Sequence, residues 1–147
     1  MKYSEGKIGR VFVIKFEDGD RLPEALEEFA ADHNVLRGTC IMVGGIADGS
    51  KIVVGPEDGN VRPPVPIPFE ISGAHEVAGV GTLFPNSEGK PVLHMHAALG
   101  REGRTHTGCI RLGVEAWLVT EVILLEIINN TAQRVIDPET GFELLEP

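Results

Sequence analysis

The sequence predicts an α+β fold in which one main helix serves a sheet that takes up most of the chain. Three observations carry this reading. Residues 21–33 place apolar side chains at helical spacing. The other apolar segments are rich in Val, Ile and Phe and are separated by Gly, Pro and Asp, as strands are. The length of 147 residues suits a single core. A Pro-rich run at 55–68 would split the chain into pieces too small to stand alone, so residues 1–147 are expected to form one domain.

Residues 10–16, RVFVIKF, set Phe12, Ile14 and Phe16 on one face and Val11 and Val13 on the other, which suits a buried strand. Asp18, Gly19 and Asp20 turn the chain. Leu22, Ala25, Leu26, Phe29 and Ala30 then form the helical stripe, with Asp20 as its cap and Glu24, Glu27 and Glu28 on the outer face. Gly38 opens a strand, TCIMV, which Gly44-Gly45 and Asp48-Gly49 punctuate before KIVVG resumes an extended course. The run GPEDGNVRPPVPIP holds five prolines and reads as a surface excursion, because proline supplies no backbone donor. Strands are expected at 75–84, 91–99 and 106–111. Residues 117–128, WLVTEVILLEII, are apolar on both faces and rich in β-branched residues without helix caps, so a central strand is favoured over a helix. The tail, RVIDPETGFELLEP, reads as a strand, a turn and a final strand.

Composition narrows the function classes. With 42% hydrophobic and 24% charged residues, the chain has the balance of a folded globular protein. The opening MKYSEGKIGR lacks the apolar centre of a secretory signal, and Glu121 and Glu126 interrupt the longest apolar stretches, so a cytoplasmic protein without membrane contact is expected. There, Cys40 and Cys109 would stay reduced. Thirteen Lys and Arg against 22 Asp and Glu give a net charge of −9, the wrong sign for affinity drawn from phosphate neutralisation. The charge is uneven. Residues 88–111 hold four basic against two acidic residues, whereas residues 112–147 hold one arginine against seven acids.

The chemistry concentrates in that basic stretch. His94 and His96 lie two apart in a strand pattern, so both imidazoles leave the same face with Cα atoms about 6.6 Å apart, a spacing that one metal ion can bridge. Zinc takes three or four N, S or O ligands, and the next segment offers His106 and Cys109. These two are an odd number apart and face opposite ways in a regular strand, so one of them is expected to join. The loop LGREGRTHTG has the glycines and arginines of an anion cradle but not the spacing of a phosphate-binding loop, and reads as a strand connection. Cys40 sits in an apolar run as an inert core residue, and His33 lies where it can cap the helix end. His75 has no evident partner, and Glu115, Glu121 and Glu126 read as carboxylates that pair with cations or reach solvent.

The stretch GTLFPNSEGKPVLHMHAALGREGRTHTGCIRLG, followed by WLVTEVILLEI, resembles the central signature of the plant- and prokaryote-conserved (PPC) domain. The likeness extends more loosely over nearly the whole chain. It implies a highly curved antiparallel or mixed sheet with one main helix, and a homotrimer, as stand-alone prokaryotic members are. Plant members carry AT-hooks ahead of this domain, and prokaryotic ones are often labelled DNA-binding; no AT-hook occurs in this sequence, so DNA association rests on the resemblance alone. Many prokaryotic members gather three histidines, two from an L-H-x-H strand and one from a G-G-H-L segment. The first two fall on His94 and His96, and the third falls on Cys109, with His106 as the alternative. The resemblance thus implies a trimeric module that holds zinc or another divalent metal and takes a small anionic ligand or a partner. Likeness of the family fold to a zinc-dependent acetolactate decarboxylase implies the alternative, a lyase acting on a small anionic substrate.

Overall fold

The alternation of apolar and polar residues is realised as one open sheet, described for all residues 1–147 by a computed structural model. In chain order the elements are β1 (Lys7–Phe16), β2 (Arg21–Leu22), α1 (Glu24–Asp32), β3 (Gly38–Ile46), β4 (Lys51–Pro56), β5 (Pro66–Glu70), β6 (His75–Pro85), β7 (Pro91–Arg101), β8 (Arg104–Ile110), β9 (Val114–Ile128), β10 (Gln133–Ile136) and β11 (Glu143–Glu146). The main sheet runs β1-β9-β3-β6-β7-β8-β4-β5, with β2 attached to β9, and β10 and β11 form a separate hairpin. Every pairing is antiparallel.

The 117–128 run is a strand, and a central one, held between β1 and β3. Its inward Val122 and Leu124 are fully buried. One ladder row crosses the sheet through Leu124, Cys40, Gly81, Met95, Ile110 and Ile52, and this row is the floor of the core. Helix α1 adds Leu26 and Ala30 to the same core. His33 ends the helix as expected: its N–H donates to Phe29 O at 3.1 Å, its Nδ1 lies 2.9 Å from the same oxygen, and its ring stacks on Phe29.

Four expectations need correction. The helix begins at Glu24 rather than residue 21, because Arg21 and Leu22 pair with Glu115 and Val114 of β9, and Pro23 occupies the cap position. Asp20 therefore caps nothing in α1; its Oδ2 accepts the Glu17 N–H instead. Val11 and Val13 are 57% and 81% exposed, since β1 is an edge strand and no layer of the chain covers that face of it. Gly44 and Gly45 do not end β3. They face a bulge in β9, whose pairing skips Leu118 and Val119; Gly44 has a positive φ of 136°, and a Cβ there would collide with the Val119 carbonyl oxygen. Finally, the Pro-rich excursion closes on β5, whose Pro68 pairs with Val53; proline is accommodated because β5 is the other edge of the sheet. No helix is long and apolar enough to cross a membrane.

Candidate metal centre

Register decides which side chains meet. His96 pairs with Cys109 across β7 and β8, so the two leave the same face, and His94 follows two residues away on that face. The Nε2 atoms of His94 and His96 lie 3.2 Å apart with rings nearly perpendicular at 83°. The ligand atoms of His94, His96 and Cys109 all lie within 4.8 Å of one another. Two imidazoles and a thiol at this spacing are a donor set that fits zinc, which is bound by His nitrogen and Cys thiolate. Partial burial, and then the neighbouring His96, Arg134 and Arg111, hold the His94 imidazole below its ordinary pKa. It is thus kept neutral, the form that a metal needs.

His106 is placed elsewhere. It pairs with Leu99, a core residue, and so leaves the opposite face of β8. Its ring stacks on Phe69 at 4.2 Å and lies 6.4 Å from that of His75. His75 in turn is buried with Nδ1 at 2.9 Å from Gly73 O. Cys40 lies in the core row, where burial raises its thiol to about 11, as befits an inert residue. The Gly-rich loop is a tight hairpin: Glu102 and Gly103, both with positive φ, join β7 to β8. Of the three carboxylates considered, Glu126 pairs with Arg10 at 2.8 Å, and this bonding lowers its pKa to about 2.

The cluster opens on a cavity of about 1060 Å³. Its walls come from two segments that flank the outer face of the sheet: residues 53–66, with the Pro-rich excursion, and residues 140–145 beyond β10. They explain why Cys109 points outward yet is only 6% exposed. Arg111 Nε donates to Cys109 Sγ at 3.4 Å, which sets a cationic side chain against the sulfur.

Two lining residues escaped the sequence reading. Glu27, expected on the solvent face of the helix, reaches the cavity and accepts the Leu93 N–H at 2.7 Å. That donor is free because the β7–β8 pairing ends at Met95 and Ile110. Burial raises the Glu27 carboxyl above its ordinary value. Arg134 comes from β10 and is 4% exposed. It was detectable only as the single base among the acids of residues 112–147.

Fold and site together define a sheet-rich α+β protein with a two-histidine, one-cysteine cluster in a walled cavity. The Plants and Prokaryotes Conserved (PCC) domain matches residues 3–128, and the chain belongs to this family, the one whose signature the sequence resembles. Solved structures share the fold. A metal-containing protein from Archaeoglobus fulgidus superposes with a TM-score of 0.85 at 21% identity, covering 100% of both chains. A PPC protein from Pyrococcus horikoshii gives 0.81 at 20% identity, covering 98% of this chain and 99% of its own. A protein from Ralstonia eutropha JMP134, whose name only supposes DNA binding, gives 0.70 at 20% identity, covering 92% and 90%. No functionally curated protein matches the chain.

Proposed function

We propose that this chain is a metal-binding, ligand-binding module of the family, with zinc or another divalent ion held by His94, His96 and Cys109, and that it works as a cytoplasmic homotrimer. The convergence of those three ligand atoms within 4.8 Å, inside a cavity, carries the reading. The metal-containing character of the Archaeoglobus protein supports it. Zinc held by these residues would supply Lewis acidity to an oxygen of a bound ligand. The protein's own contribution is to keep His94 neutral, to set Arg111 against the Cys109 sulfur, and to flank the site with the walls of an open cavity.

The trimer is supported by the outer face of the sheet. Val13, Ile123, Ile41 and Val80 form one ladder row that leads directly to His96, and all four are exposed. Subunit association would cover this row. Net charge of −9 opposes duplex DNA as a partner. The enzymatic alternative, a zinc-dependent lyase or decarboxylase for a small anion, has Glu27 in its favour, a carboxyl kept above its ordinary pKa beside the cluster. Metal-dependent CO2 release from small 3-oxo acids, lost in Glu27→Gln, would select that alternative. Elemental analysis of the native protein tests the main reading: about one divalent ion per chain is expected, and a metal-free native protein overturns it.

A further inference from the structure

Arg134 is the unusual residue of the cavity. It is 4% exposed, and no buried side-chain nitrogen in the chain lacks a partner, so any donor that the protein leaves unbonded opens on the cavity. Its Nη2 donates to Thr82 O at 3.2 Å and Thr82 Oγ1 at 3.1 Å, and its Nε donates to Val92 O at 3.4 Å. Nη1 takes part in none of these bonds, nor in any ion pair. Thr82 is the cross-strand neighbour of His94, so these bonds fix the guanidinium beside the cluster, in the same cavity. Burial lowers the Arg134 pKa against the opposing charges of Glu143 and Glu27, and the Arg134 charge in turn acts on His94.

We infer that Arg134 is a ligand-binding residue whose free Nη1 anchors the carboxylate of a small organic acid while a second oxygen of that acid reaches the metal. The proposal rests on the metal reading above and names the ligand class for that site. Charge agrees with it. Three arginines, Arg62, Arg111 and Arg134, line the cavity against two glutamates, Glu27 and Glu143, and a divalent ion on a thiolate adds one further positive charge. With Nε and Nη2 engaged by Val92 and Thr82, Nη1 is left for a one-point contact to a single oxygen of the acid. Arg134 lies beyond residues 3–128, the part of the chain matched to the family, so the anchor is supplied by the C-terminal hairpin rather than by the matched region.

The test uses the full chain loaded with cobalt(II), whose visible spectrum reports both uptake and a change of ligand, with malonate as the probe. Malonate is expected to shift the cobalt spectrum, to bind more tightly than inorganic phosphate, and to lose about 10-fold or more in affinity in Arg134→Met while cobalt stoichiometry is kept. In the parent zinc protein, the guanidinium NMR signals of Arg134 are expected to move on malonate addition, a readout that needs no variant to fold. Unchanged malonate affinity in a folded Arg134→Met, unmoved Arg134 signals, or tighter phosphate binding each overturns the anchor and leaves the metal site standing. A parent that takes up no cobalt overturns the metal reading itself, and this proposal with it.

Discussion

Met95 and His96 are adjacent on β7, and the two ladder rows that pass through them have opposite fates. The Met95 row runs through Leu124, Cys40, Ile110 and Ile52, all fully buried. The His96 row runs through Val13, Ile123, Ile41, Val80 and Cys109; it is apolar too, yet most of it is open to solvent, and Val80 is 62% exposed. Hydropathy does not separate the rows. What separates them is that α1 and the far end of the sheet close over one face, while the other receives only the walls of the cavity. One face holds the fold together, and the other is available for metal, ligand and neighbour.

Substitutions one residue apart should therefore differ in kind. Met95→Ala is expected to cost about 2–5 kcal/mol in urea unfolding, as a cavity in a packed core does, and to leave metal stoichiometry intact in the folded fraction. Replacing His94 and His96 together by Ala should abolish stoichiometric metal and change the stability of the metal-free protein by no more than about 0.5 kcal/mol, since both rings lie on the exposed face. Metal retained in that variant at the parental level would remove the site.

The proposed third ligand sharpens the contrast. Cys109→Ala is expected to weaken zinc binding by more than about 100-fold in a chelator competition, because even residues one shell further out typically cost 10–100-fold. His106→Ala should leave zinc affinity unchanged and cost about 1 kcal/mol of stability through the lost stack on Phe69. The apolar part of the outer row has its own test. Val11→Glu with Val13→Glu is expected to reduce the mass in light scattering from three times the 15.8 kDa chain to one, without unfolding it. A parent of single-chain mass would sink the trimer.

The smallest effect separates metal loss from acid unfolding. Hydrogen bonds from Arg10 hold Glu126 at about 2, below its ordinary 4.5, so the folded state favours the ionised carboxylate. That contribution is complete above pH 4.5 and is lost as pH falls from there towards about 2. Glu126→Gln should accordingly lower the melting temperature at neutral pH and converge with the parent near pH 2. Zinc should leave earlier in the same titration, because protons compete with the metal for its nitrogen and sulfur ligands.

Strand positions were legible because they depend on alternation, which is local. The β-branching of residues 117–128 marked β9, and H-x-H in an alternating segment placed His94 and His96 on one face without any knowledge of the neighbours. The tail hairpin was equally plain from its turn residues. By contrast, the spacing of His106 and Cys109 showed only that they diverge. Choosing between them required the β7–β8 register, which pairs Cys109 with His96 and sends His106 to the Phe69 side.

The sequence by itself determined the alternation, the single helical stripe and the two-histidine motif, all properties of residues a few positions apart. Tertiary structure alone decided that Val11 and Val13 stay uncovered, that Glu27 turns to the cavity, and that Arg134, 40 residues from His94, rests on Thr82 beside it. These depend on which strand lies at an edge and which face receives a second layer. Such choices are made by long-range pairing and closure of the core, and they leave no periodicity in the chain to read.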